Sequence, residues 1–147
     1  MATYSFSEVT ATLTGAGGVI DLGAGSAIAK EGITITLAQP RNTMTIGADG
    51  EGMHSLRADK SGTITVRMLQ TSPVNAQLQA MYDAQSLSPA LWGNNVLVVV
   101  NRGNSETTTA RGVAFQKQPD RTYSEDGEMV EWIFDCLKID TVTGTYA

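Results

Sequence analysis

The sequence predicts a mainly β domain, a β-sandwich or partly closed antiparallel barrel with one α-helix at about residues 73–86 packed against it. Three observations carry this. Short runs alternate apolar side chains with threonine at period two, the spacing that sends successive side chains to opposite faces of a strand. The runs are rich in Thr, Val and Ile, whose branched Cβ loses rotamer freedom on a helix and packs well on a pleated surface. One stretch alone carries apolar residues at helical spacing.

The elements follow in chain order. Val9, Ala11 and Leu13, separated by threonines, make the first predicted strand, and Ile33, Ile35 and Leu37 around Thr34 and Thr36 the second. Met44 and Ile46 around Thr45, and Ile64, Val66 and Met68 around Thr63, Thr65 and Arg67, make the next two. Each is expected to be half-buried. Between Ser72 and Gln85 the pattern changes: Val74, Leu78, Met81 and Tyr82 share one helical face and are the predicted core packing of the helix. Ser72 is placed to cap its amides, Pro73 suits the first position, where no backbone donor is needed, and Pro89 marks where it has ended.

Val96 to Val100 is short, unbroken and almost wholly β-branched, which predicts a strand covered on both faces. Gly112 to Phe115 and Met129 to Ile139 are the last two strands. In the final one Val130, Trp132, Phe134 and Cys136 fall on one face, and Met129, Glu131, Ile133, Asp135, Leu137 and Ile139 on the other. Glycine clusters near the start, around Gly47 to Gly52 and from Gly93 to Gly112 punctuate turns, and Asp49-Gly50 is a favourable hairpin turn. No linker or internal repeat divides the chain. The expectation is a single domain over 1–147 with an extended hairpin at about 39–60.

Composition narrows the function. A hydrophobic fraction of 41 % with 17 % charged residues belongs to packed globular proteins, not to disordered ones. Fifteen acidic against ten basic side chains leave a formal charge of −5, which repels phosphate backbones and anionic membranes. A lone cysteine, Cys136, cannot form an internal disulfide. The longest apolar run is far short of the ~20 residues a membrane helix needs, and no basic-then-apolar leader opens the sequence, so the mature protein is expected to begin at or next to Met1.

The inventory for catalysis is thin. His54 beside Ser55 invites a base and nucleophile, but neighbours on a strand point to opposite faces, and a polar hairpin or subunit contact is the simpler reading. One His and one Cys cannot supply the four ligands of a zinc site. Asp49, Glu51 and Asp59 lack the alternating acidic pattern of a calcium loop. Gly47 to Gly52 lacks the Lys-Ser/Thr ending of a phosphate loop and leads into a strand. Arg57, Lys60, Arg67, Arg102, Arg111, Lys117 and Arg121 are scattered singly, without the aromatic platforms that stack bases. No cofactor, metal or catalytic group is expected.

The stretches Gly47 to Glu51, Ser61 to Gln70 and Thr71 to Tyr82 resemble the tail tube family of contractile-tailed phages. The run Ser-Pro-x-Asn-x-x-Leu-x-x-Met-Tyr at 72–82 is the most recognisable part. The resemblance continues through Ala114 to Asp120 and Gly127 to Cys136, where the strand bearing Trp132 closes the domain, and so spans nearly the whole chain. The tube proteins of type VI secretion systems are similar in design. The resemblance implies six subunits per ring, rings stacked into a tube, and strands of each subunit joined in a continuous barrel around a lumen. It also implies a virion protein assembled in the host bacterial cytoplasm, with tail sheath, baseplate and tail terminator proteins as partners. Phage DNA would pass through without specific binding, and no membrane is involved. Non-contractile long tails use a related tube, so the tail type stays open.

Two surfaces are candidates for this work. Thr34, Thr36, Thr45, Thr63, Thr65 and Arg67, with Thr43, fall opposite the apolar positions and would give a hydrated lumen lining, joined by Glu131 and Asp135. The same pattern describes the wet face of any antiparallel sheet, and both readings stand. In the hairpin, Met44, Ile46, Met53 and Leu56 exceed the apolar surface a lone hairpin shelters, which makes them, with Asp49, Glu51, His54 and Arg57, candidates for inter-ring or intersubunit contact. The alternative is a hairpin folded back on its own core. The glycine-rich segment to about Ala29 is expected to order only against a neighbour. Other functions consistent with the chain are a different tail component, such as a tube terminator or decoration protein, and a small β-sandwich ligand-binding module. The last would cluster aromatics on one loop edge, whereas Tyr4, Trp92, Tyr123 and Tyr146 are dispersed.

Overall fold

The computed structural model describes residues 2–23 and 28–146. After a short 3-10 turn at Phe6–Glu8, the strands are β1 (Val9–Gly15), β2 (Gly18–Gly23), β3 (Ile28–Leu37), β4 (Asn42–Ile46), β5 (Gly52–Leu56), β6 (Gly62–Leu69), β7 (Asn95–Asn101), β8 (Glu106–Phe115) and β9 (Met129–Val142). The helix α1 runs Val74–Gln85 between β6 and β7. Seven strands form one antiparallel sheet in the order β2-β1-β7-β8-β9-β6-β3, and β4 pairs only with β5. The mainly β expectation holds.

The sheet curls around its buried face. Its two edges, β2 and β3, are consecutive in sequence and only residues 24–27 join them, so Gly23 and Ile28 lie within roughly 19 Å of each other. The 3-10 turn that precedes β1 reaches across the same gap. The ring of Phe6 lies over Gly32 of β3, where an added Cβ would stand 2.9 Å from Phe6 Cζ. Residues 9–23 of the glycine-rich start are thus strands of the subunit's own sheet, with Ile20 and Leu22 buried in its core. The part of that expectation falling on 24–27 lies outside the described residues.

The core lies inside the curl. Alternation places Val9, Ala11 and Leu13 of β1, Ile64, Val66 and Met68 of β6, Leu97 and Val99 of β7 and Trp132, Phe134 and Cys136 of β9 in one cluster with Leu78 and Met81 of the helix. Phe115 stands at the centre of an aromatic group, 5.1 to 6.4 Å from the rings of Tyr82, Trp92, Trp132 and Phe134. The tilted and edge-on arrangements are those the ring quadrupole favours.

A bulge accounts for one departure from period two. Val96 faces Arg111 while Asn95 faces Val113, so Gly112 is an extra residue in β8 relative to β7. Gly112 has φ 61°, and an added Cβ would meet Leu137 Cδ1 at 2.7 Å. Past this point the phase changes on both β8 and β9: Ala110 and Ile139 are buried on one side of it, Val113 and Cys136 on the other. Ile139, expected beside Glu131 and Asp135, is therefore a core residue. Leu137, opposite the bulge, stays exposed.

Three further expectations are corrected. The valine-rich β7 is covered on one face only, because Leu97 and Val99 point inward while Val96, Val98 and Val100 lie on the open side of the sheet. Ile35 and Leu37 on the edge strand β3, and Met44 and Ile46 on β4, are exposed in the subunit, since nothing in it packs over them. Finally, β8 begins at Glu106 and β2 exists at all: Glu106 to Thr109 has no apolar alternation, and the Gly18 to Gly23 run is bracketed by glycine.

The helix sits where its polar residues tie it. Ser72 Oγ accepts from the Val74 amide at 3.3 Å, and Pro73 already has helical φ −65°. Asn75 Nδ2 donates to the carbonyls of Leu69 and Gln70, and its Oδ1 accepts from Trp132 Nε1 at 3.0 Å. Val74 and Tyr82 are half-buried against the core. At the other end Gln85 and Asn95, both fully enclosed, exchange amide hydrogen bonds of 2.7 and 2.9 Å, and Gln85 also donates to the Ala16 carbonyl.

Candidate assembly interface

Strand connectivity gives the subunit two poles. At one pole are the β1–β2 turn, the end of α1, the 86–94 loop and the β8–β9 loop; at the other are the β4–β5 hairpin and the ends of β3, β7 and β9. The hairpin is held at its base. Arg57 N–H donates to Arg41 O at 2.8 Å, Arg41 Nε to Arg57 O at 2.7 Å, and Arg57 Nε to Thr43 Oγ1 at 3.0 Å. Asp59 accepts from Ser61 Oγ and N at 2.6 and 2.8 Å, and these bonds hold its carboxyl below the ordinary range. At the tip, Gly47 N–H donates to Glu51 O, and Gly50 takes φ 88°, where glycine is favoured.

Register sorts the hairpin's side chains into two faces. Met44 pairs with His54, Asn42 with Leu56 and Ile46 with Gly52, so Met44, Ile46 and Leu56 form one apolar face with His54, whose Nδ1 lies 3.1 Å from Asn42 Nδ2. Thr43, Thr45, Met53 and Ser55 make the other. The eight contact candidates are therefore not one patch. Met53 points away from Met44, Ile46 and Leu56; Asp49 and Glu51 are in the tip loop; Arg57 is engaged in the base. All eight are exposed in the subunit.

Seven of the nine lumen candidates do converge. Register aligns Thr34 with Thr65 and Ile133, Thr36 with Thr63 and Asp135, and Arg67 with Glu131 on the open face of the sheet. Arg67 donates through Nε to Glu131 Oε2 and through an Nη to Thr34 Oγ1, each at 3.2 Å, so the cation is neutralised in place. Gln116 Nε2 adds a bond to Asp135 Oδ1 at 3.2 Å. Thr43 and Thr45 do not belong to this face, because β4 is in the separate hairpin. The sequence reading missed the rest of the same surface, Thr10, Thr12, Thr107 and Thr109 beside Val98 and Val100, which strand pairing reveals.

Of the other charges, Lys60 Nζ reaches Asp140 Oδ1 at 3.0 Å, and that hydrogen bond and charge lower the Asp140 carboxyl. Burial pushes the Cys136 thiol up to about 11, leaving it a small apolar core group. Among the described residues no cluster of three His, Cys, Asp or Glu could hold a metal, and no helix is long and apolar enough to cross a membrane.

Comparison with known proteins concerns the whole chain and its fold. The family profile of the Bacteriophage PhiTE tail tube protein matches residues 1–144. No curated protein matches in sequence. Among solved structures, the chain resembles one in the cryo-EM structure of the anti-feeding prophage cap, the tube-terminating cap, at 7 % identity and TM-score 0.58, covering 98 % of this chain and 93 % of that one. A chain of the sheath-tube complex of the extracellular contractile injection system PVC, in its extended state, matches at 10 % identity and TM-score 0.59, over 96 % and 92 %. A chain of the six-fold symmetrised anti-feeding prophage baseplate matches at 15 % and 0.57, over 97 % of both. At these identities the likeness is one of fold.

Proposed function

This chain belongs to the bacteriophage PhiTE tail tube protein family and has a tail tube structural role in the virion, and from that premise we propose that it works as rings, six subunits each, stacked into a tube whose lumen conducts DNA during ejection. The observation that carries the proposal is the hairpin: fifteen residues, Asn42 to Leu56, with Met44, Ile46 and Leu56 between half and four-fifths exposed on one face. A lone subunit leaves that face uncovered, and copies of itself are the partner a homopolymer supplies. Six-fold symmetry draws support from the fold shared with the six-fold symmetrised baseplate chain. Tail sheath, baseplate and tail terminator proteins are the further partners, and assembly takes place in the host bacterial cytoplasm.

The open face bearing Thr34, Thr36, Thr63, Thr65, Arg67, Glu131 and Asp135 is the proposed lining. Hydroxyls hydrate it and Arg67 is paired with Glu131; farther along the same face Arg111 and Lys138 stand opposite each other, with Asp140 two residues from Lys138. Phosphates sliding past would find few cations to hold them and few counterions to release. The protein acts as a structural subunit and turns over no substrate.

Size-exclusion chromatography with negative-stain microscopy tests this. Rings or tubes are expected, and Ile46→Asp with Leu56→Asp should leave a folded monomer that forms neither. A wild-type chain that stays monomeric at every concentration sinks the proposal. A second reading, a tube-terminating component, draws on the likeness to the cap chain; single rings that never stack favour it.

A further inference from the structure

We infer that Arg111 and Lys138 form a contact site for the phosphate backbone of DNA, midway along the open face of the sheet. The inference rests on the reading of that face as the lining and goes beyond it, because it assigns the face a place where DNA is briefly held. Register sets the two side chains directly opposite each other on β8 and β9, and both are exposed. On its other side Lys138 is bridged to a third cation, Lys60. Like charges directly opposite on neighbouring strands destabilise a sheet. Elsewhere on the face the chain avoids this: Arg67 stands opposite Glu131 and donates to it at 3.2 Å. A row of cations that breaks a local rule without a compensating partner marks a surface kept for binding.

Charge and position select the occupant. The carboxylate beside the row is Asp140, and Lys60 Nζ already donates to its Oδ1 at 3.0 Å. That hydrogen bond and the Lys60 charge lower the Asp140 carboxyl first, and the charges of Arg111 and Lys138 lower it further, so one carboxylate answers all three cations. The cluster is left positive on a subunit whose total is −5. Its neighbours in the same and the next row are Thr14 and Val96, then Thr12, Val98 and Thr109. These hydroxyls and methyls stack no base, so recognition falls to charge alone and carries no sequence preference. Carboxylates of a second copy are placed elsewhere: Asp49 and Glu51 in the hairpin, and Glu125, Asp126 and Glu128 in the β8–β9 loop, stand at the two poles and not along the face. A polyanion running the length of the face meets the pair at every subunit. Two contacts with counterion release give a weak hold, which slows a sliding duplex without stopping it.

Fluorescence anisotropy of a short labelled DNA duplex, titrated with the full-length chain, tests the site. Each phosphate contact contributes about 0.9 to the fall of log affinity with log salt, so between about 50 and 200 mM salt Lys138→Gln should remove about threefold of the wild type's salt sensitivity, and Lys138→Gln with Arg111→Gln about tenfold. Both side chains are exposed and the changes relieve a repulsion, so folding should be retained. Arg102→Gln with Lys117→Gln, which removes exposed cations at the poles, should alter neither affinity nor salt sensitivity. A duplex that does not bind at the lower salt, or salt sensitivity shared equally by the two pairs of variants, overturns the inference. Negative-stain microscopy of the same proteins separates the two readings. The double variant should form tubes as the wild type does; if it alone forms none, the cations join copies of the chain and the inference falls. A wild type that binds the duplex through these cations yet forms no tube confirms the contact and removes the tube reading.

Discussion

Gln85 and Asn95 are large amides enclosed without access to water, and each satisfies the other. Gln85→Ala strands the Asn95 amide and should cost about 1–3 kcal/mol in urea denaturation, while the paired change to leucines at 85 and 95 should cost much less, since no orphaned polar group remains. Gly15 is bound to the same pair, because a Cβ there would overlap Asn95 Oδ1. Gly112→Val should lose on the order of 1–3 kcal/mol through its left-handed backbone and the crowding of Leu137. The Cys136 thiol keeps its proton in the fold up to about 11 against 9.0 unfolded, so it favours the fold below 9 and that contribution is lost as pH rises from 9 to 11. A thiol reagent at pH 8 should label Cys136 at the rate of global unfolding, and prompt labelling of the native protein would contradict its burial.

At the scale of elements, the helix and the regular strands were legible because local chemistry decided them. Ser72-Pro73 starts the helix by capping and by a fixed φ, and Ser72→Ala should cost about 1 kcal/mol. The strand β2 and the first half of β8 were not legible: one is bracketed by glycines and the other is a run of threonine, and only pairing with neighbours makes either a strand. The inward turn of Ile139 was hidden for a similar reason, since the phase of β9 is reset by an extra residue on another strand. The candidate surfaces split along the same line. Thr34, Thr63, Arg67 and Glu131 could be placed together from period two, but Thr45 could not be excluded until β4 was known to pair with β5 alone. At the hairpin base, Asp59 and Asp140 titrate below the ordinary carboxylate value of 3.8. Their bonds to Ser61 and Lys60 therefore contribute stability above that pH, which is lost as pH falls through the depressed values. Protection factors near residues 57–61, taken against the intrinsic exchange rate at each pH, should fall below about pH 4 in the wild type, and Asp59→Asn should show the lower protection at neutral pH already.

For the whole molecule, the charge of −5 on every subunit opposes its polymerisation, and salt screens that repulsion within about 10 Å at 0.1 M. Tubes should form at lower protein concentration as ionic strength rises, and light scattering would show the opposite trend if ion pairs dominated the contacts. The hairpin adds a kinetic consequence. A two-stranded ribbon is marginal in water by itself, and this one is paired to no strand of the main sheet. Its ordering cost falls due when it docks, so two free subunits meeting in solution gain little, whereas a pre-built end offers a ready seat. Growth then has a nucleation barrier: a pure solution shows a lag, and sheared fragments used as seeds abolish it. In a cell crowded with newly made subunits, such a barrier keeps the monomer in reserve and lets the structure that starts the polymer choose where it begins.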